Sequence, residues 1–98
     1  MKVMELEDIF SSRLRMKTLK LLDKMHELNV SEIAHRLGVN YGVATKHLKV
    51  LEEEGIIQHK MFGRICLYRL NENSLKTKAV QNLIEIWEHA NRQKTATP

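Results

Sequence analysis

The sequence predicts a mainly α-helical chain with one small β-hairpin: a helix-turn-helix followed by a wing, with a further helix at each end. Three observations predict it. Apolar residues recur at helical spacing over most of the 98 residues. Two of the helical stretches are separated by a turn of about three residues that contains Gly38, the arrangement of a helix-turn-helix. Directly after Gly55 the apolar period changes from helical to alternating, as in a strand pair.

The elements follow in order. Leu6, Ile9 and Phe10 recur at i, i+3, i+4 and predict a short first helix over residues 6–10. Ser11 and Ser12 are candidate N-caps for a second helix that runs to about His26, with Leu14, Leu21, Leu22 and Met25 on its apolar stripe. Ser31 is expected to cap a third helix, residues 32–37, which buries Ile33 and Leu37 and ends at Gly38. Asn40 caps a fourth helix, residues 41–54, stopped by Gly55. In the hairpin, Ile57, His59 and Met61 alternate with Gln58 and Lys60, Phe62-Gly63 makes the turn, and residues 64–70 return. Cys66, Tyr68 and Leu70 share one face of that strand. Ser74 caps a fifth helix, residues 75–92, striped by Val80, Leu83, Ile84, Trp87 and Ala90. These elements make one domain over residues 1–98, with a core at 11–72 and frayed ends at 1–4 and 93–98.

Composition excludes several classes. Hydrophobic residues are 43% and charged residues 29%, which fits a folded, soluble chain. No apolar run approaches the roughly twenty residues of a membrane span, and no secretory leader is recognisable at the N-terminus. One cysteine cannot form a disulfide scaffold or a cysteine-based zinc site, so a cytoplasmic, nucleoid-associated setting is expected. No glycine-rich phosphate loop, GxSxG or HExxH motif is present, so neither an enzyme nor a cofactor is expected. The formal net charge is +4, and it is unevenly placed. Residues 11–71 hold eleven Lys and Arg against six acids, while residues 1–10 hold one against three. Basicity concentrated over the middle of the chain is the footprint of a polyanion binder.

The fourth helix carries the function. Ala44, Leu48 and Leu51 lie on one side at i, i+4, i+7 and face a core. Gly42, Thr45, Lys46 and Lys49 lie on the other, and Tyr41 projects from the first turn. No acid joins that outward set until Glu52. Small residues let a helix approach the floor of the DNA major groove, and lysines neutralise phosphates. Asn40 and the helix N-terminus add a place for a phosphate. Lys60 and Arg64 flank the tip of the wing, where they can follow a backbone or a minor groove.

Residues 12–71 resemble the winged helix-turn-helix regulators of the ArsR and MarR kind, and most closely ArsR. The resemblance rests on SRLRMKTLKLL, SEIAHRLGV, NYGVATKHLKVLEEEGII and GRICLYRL. It implies a homodimeric transcriptional regulator that binds double-stranded DNA, with contacts at Asn40, Tyr41, Gly42, Thr45, Lys46 and Arg64. Metal-sensing relatives often carry two cysteines in an ELCVCDL-like stretch. Here those two positions hold Asn29 and Ser31, so no thiolate metal site is expected there.

Other residues receive plainer readings. Cys66 reads as a buried small hydrophobe, and Glu85 with His89 as a surface pair one helical turn apart. His47 suits either a phosphate contact or a half-buried packing role. Val80, Leu83, Ile84 and Trp87 exceed what a small winged core needs, so a homodimer through the fifth helix is expected, helped by Leu6, Ile9 and Phe10. A nucleoid-type protein with little sequence preference, or a winged-helix protein-interaction module, are the alternative functions.

Overall fold

The computed structural model describes residues 4–96, with side chains as far as residue 94. The expectation of frayed ends falls partly on residues 1–3 and 97–98, which lie outside the described residues. Met4 is not frayed: its N–H donates to Glu54 Oε2 at 3.2 Å.

Helix α1 (Leu6–Phe10) is followed by α2 (Arg13–Met25). Ser12, not Ser11, is the N-cap of α2, accepting from the Arg15 N–H at 3.2 Å. The inward residues of α2 are Thr18, Leu19 and Leu22; Leu14, Leu21 and Met25 are half-buried. Thr18 can lie in the core because its hydroxyl donates to the Leu14 carbonyl at 2.7 Å.

Past α2 the chain reverses at His26, with φ 70° and ψ −54°. The Glu27 N–H donates across it to the Met25 carbonyl at 2.9 Å. A three-residue turn closed from i to i+2 with these dihedrals is the strained form of the γ-turn. A non-glycine residue held there costs on the order of 1–3 kcal/mol, and glycine loses only about 1 kcal/mol more backbone entropy than alanine on folding. The His26 side chain is exposed. His26→Gly is therefore expected to stabilise the fold by about 1 kcal/mol, which raises the thermal midpoint by about 4–8 °C. Thermal unfolding followed by circular dichroism checks this, and a lowered midpoint would count against strain at this residue.

The γ-turn leads into β1 (Leu28–Asn29), a strand the sequence pattern did not reveal. Leu28 pairs with Tyr68 and Asn29 with Leu67. Asn29 also caps α3 (Val30–Leu37), accepting from the Glu32 N–H at 2.8 Å. The helix thus starts two residues before the expected position, and Ser31 lies inside it. Gly38, at φ 71°, closes α3: the Val39 N–H reaches the Ala34 carbonyl at 3.0 Å and the Gly38 N–H reaches that of His35 at 3.1 Å. This pair of bonds needs a left-handed residue, which glycine adopts without a Cβ clash. Helix α4 (Tyr41–Glu53) begins three residues later and ends on the same bond pair, from Ile56 to Leu51 and from Gly55 to Glu52.

Strands β2 (Ile57–Phe62) and β3 (Ile65–Leu70) form the wing, and the three strands order as β1-β3-β2, all antiparallel. Phe62 pairs with Ile65, so the turn is Gly63-Arg64, one residue later than expected. Gly63 has φ 62° and Arg64 does not have positive φ, the pattern of a type II′ rather than a type I′ turn.

The core gathers Leu19 and Leu22 from α2, Ile33 and Ala34 from α3, and Ala44, Leu48 and Leu51 from α4. Ile56, Ile57, Tyr68 and Leu70 close it from the base of the wing. Helix α5 (Leu75–Ala96) extends past the expected end at Arg92. Its inward face is Thr77, Val80 and Ile84, with the Thr77 hydroxyl donating to the Ile56 carbonyl at 3.0 Å. Glu54 joins the two ends of the chain, accepting from the Met4 N–H and from Lys76 Nζ at 2.8 Å. The bond from Lys76 holds the Glu54 carboxyl below the usual carboxylate range.

This packing corrects one part of the sequence reading. Ile9, Val80 and Ile84 are buried within their own chain, at 6%, 8% and 6% exposure, so they are not surplus apolar surface. A second stripe on α5 is surplus. Leu75, Ile86 and Trp87 are 83%, 61% and 65% exposed, Ala79 and Ala90 are exposed, and Leu83 is half-buried. On the helical wheel this stripe lies opposite Thr77 and Ile84. Leu6 and Phe10 of α1 are also exposed.

Candidate nucleic-acid interface

The interface is built outward from the core face of α4. Ala44, Leu48 and Leu51 are at most 1% exposed and fix the rotation of the helix. Tyr41, Gly42, Lys46 and Lys49 are thereby turned to solvent, with Thr45 half-exposed among them. Asn40 is the N-cap: its Oδ1 accepts from the Val43 N–H at 2.9 Å, so that oxygen holds the helix rather than a ligand. The Thr45 hydroxyl donates to the Tyr41 carbonyl at 2.8 Å. Its methyl group and the oxygen lone pairs are what it can present outward.

Charge on this face is not neutralised from within. Among the described residues the ion pairs are Lys20–Glu88, Arg36–Glu32, Lys76–Glu54 and, when the ring is protonated, His59–Glu52. None involves Lys46, Lys49, Lys60 or Arg64, and two of them engage the acids at the far end of α4. Lys60 lies over the Phe62 ring, its Nζ 5.2 Å from the centroid. Arg64 and Tyr41 line one cleft of about 210 Å³ with Asn29, Val30, Ser31, Ile65 and Cys66. The wing tip and the first turn of α4 thus border the same hollow. Cys66 is half-buried there rather than sealed in the core.

His47 sits behind the outward set, half-buried, with Nδ1 enclosed and unpartnered among the described residues. Burial, and then the charges of Arg15 and Lys46, hold its pKa below the ordinary histidine value. The ring is kept neutral near physiological pH, which favours the packing role over a standing cation for phosphate.

Gly42 has no internal reason to be glycine. It does not have positive φ, and a Cβ there would meet only Asn40 Oδ1, at an ordinary 3.4 Å. Glycine in a helix costs about 0.5–1 kcal/mol relative to alanine. Gly42→Ala is therefore expected to stabilise the free protein by up to that amount while weakening any ligand that approaches the α4 backbone. Thermal melts paired with DNA titrations check both signs. Unchanged DNA affinity would show that nothing approaches closely there.

Residues of possible use that the sequence reading left out are Met61, Phe62 and Ile65, exposed at the wing tip, and Ile86 on α5. Among the described residues no group of three His, Cys, Asp or Glu is placed to hold a metal ion, and no helix is long and apolar enough to cross a membrane.

Comparison with known proteins agrees with this architecture. The model of the bacterial regulatory protein, arsR family, matches residues 12–59, from the cap of α2 into β2. The HTH-type transcriptional regulator B-115 of Sulfolobus spindle-shape virus 1 is 29% identical over 72 residues, 74% of this chain. The match spans 63% of that relative's length. Among solved structures, HlyU from Vibrio cholerae superposes with a TM-score of 0.72 at 24% identity, over 84% of this chain and 86% of that one. A homodimeric winged helix-turn-helix DNA-binding domain from Mycobacterium bovis, a possible ArsR-family regulator, gives 0.69 at 22% identity, over 84% and 73%. At these identities the structures establish the fold. The arsR-family model matches just under half of the chain, and the fold these structures establish is the winged helix-turn-helix.

Proposed function

We propose that the protein binds double-stranded DNA as a homodimer and regulates transcription from a defined site. The observation that carries this reading is the outward face of α4: a glycine without internal cause, small neighbours, and two lysines with no ion-pair partner among the described residues. Helix α4 lies in the major groove. Gly42 and Thr45 let it approach, Lys46 reaches a base edge or phosphate, and Lys49 holds backbone. Lys60 and Arg64 engage the backbone or minor groove beside it.

The second copy covers the outer stripe of α5, with Leu6 and Phe10 of α1 beside it. Exposed apolar residues of this size and continuity mark an association surface. A two-fold dimer presents two α4 helices to two half-sites, so its target is a pseudo-palindrome. The dimeric state of the Mycobacterium bovis domain supports this arrangement.

Enrichment of bound duplexes from a random library tests the function. A short consensus with dyad symmetry is expected. Binding without any consensus would instead identify a nucleoid-type protein. Absence of binding at low salt would leave the basic face to a protein partner.

A further inference from the structure

The wing tip has an unexpected composition. Strand pairing puts Met61 on the same face as His59, Cys66 and Tyr68, and puts Phe62, Ile65 and Leu67 on the other. Both faces therefore end in apolar side chains. Met61, Phe62 and Ile65 are 56%, 50% and 53% exposed, although the strands lie beside a well-closed core. Phe62 lies five positions along the strand from Ile57, which is in the core, so the tip projects roughly 17 Å from the core. Among the described residues none covers this end.

Charge decides what it meets. Residues 55–71 contain Lys60, Arg64 and Arg69 and no acid. Lys60 lies over Phe62 itself, and Arg64 occupies the turn between Phe62 and Ile65. An apolar edge bracketed by cations fits a polyanion that also offers an apolar interior. Stacked base pairs provide one between phosphate rails. The tip is continuous with α4 through the cleft shared by Arg64 and Tyr41.

We infer that Phe62 and Ile65 form a wedge that enters the minor groove beside the α4 contact, opens a base step and bends the DNA. This inference rests on the DNA-binding reading above. Arg64 and Lys60 hold the flanking phosphates while the apolar pair takes the place of a lost stacking neighbour. Flexible pyrimidine–purine steps yield most readily, so the wedge adds preference for such steps at positions α4 does not touch.

The test is the bend angle of a duplex enriched from a random library, read by energy transfer between its labelled ends. Wild type is expected to bend it by about 20° or more at each half-site. Phe62→Ala with Ile65→Ala is expected to lose at least half of the bend and about tenfold in affinity. Phe62→Lys adds a cation at an exposed position and keeps the hairpin; it is expected to lose the bend while holding or raising affinity. This variant decides the matter if the double variant fails to fold. A straight duplex with wild type, or an undiminished bend with Phe62→Lys, overturns the wedge while leaving the α4 footprint intact. Failure to enrich any duplex overturns the DNA reading as well. Phe62-dependent binding to phosphatidylglycerol vesicles with a straight duplex, or a change in sedimentation mass, would assign the tip to lipid or to a second copy and overturn the wedge.

Discussion

Ile86→Asp combined with Trp87→Ala is expected to give folded monomers that bind operator DNA roughly 10²- to 10⁴-fold more weakly than wild type. Both side chains are more than half exposed in the single chain, so its core does not depend on them. A carboxylate in the middle of the outer α5 stripe cannot be desolvated against a second apolar stripe without a heavy cost. Each half-site then binds independently, and the gain from linking the two is lost. Val80→Ala and Ile84→Ala are expected to behave differently. They remove buried groups within the chain and lower stability instead. Sedimentation of wild type and variant, with DNA titrations on the same samples, reads both effects. A wild type that is monomeric at the concentrations where it binds DNA would rule out the dimer and the palindromic site together.

Lys46→Ala is expected to weaken DNA binding by about 1–3 kcal/mol and to relax preference at one base position. Lys49→Ala is expected to weaken all sequences alike and to lower the slope of log K against log salt by about 0.9. Neither lysine has an ion-pair partner among the described residues, so removing it leaves no acid unpaired and the fold should be unaffected. Affinity measured over a salt series on consensus and mutated duplexes separates the two roles. An unchanged affinity in the double variant would mean that α4 does not face the DNA.

Helix boundaries were legible because the chain marks them with local chemistry. Ser12, Gly38, Asn40 and Gly55 each close a bond within four residues, and each stands where local reasoning puts it. Asn29 shows the limit. Asn29 and Ser31 are both good caps, and the choice between them is made by extended backbone at Asn29, which pairs with Leu67 far along the chain. The outward face of α4 was readable because that helix has one apolar stripe. The fifth helix has apolar residues on both sides, and periodicity alone cannot say which side meets its own core. The pattern therefore groups Val80 and Ile84 with Leu83 and Trp87, although the first two are internal. Thr18 and Thr77 escaped notice for the opposite reason: they are polar by type, but each satisfies its hydroxyl on a backbone carbonyl and packs inside. At the wing, an alternating pattern implies an inner face, and it does not tell where the core beneath that face ends. Met61 lies past that end, and Phe62 and Ile65 lie on the outer face beside it.

Methylation interference on the enriched duplex tests most directly whether α4 occupies the major groove and the wing the minor groove. Dimethyl sulfate marks guanine N7 in the major groove and adenine N3 in the minor groove. Interference is expected from guanine N7 in two clusters, related by a dyad and an integral number of helical turns apart on one face of the duplex. Interference from adenine N3 is expected at the flank of each cluster, where Arg64 and Phe62 approach. Interference confined to adenine N3, or a single cluster without a dyad partner, would contradict this placement of α4 and of the dimer.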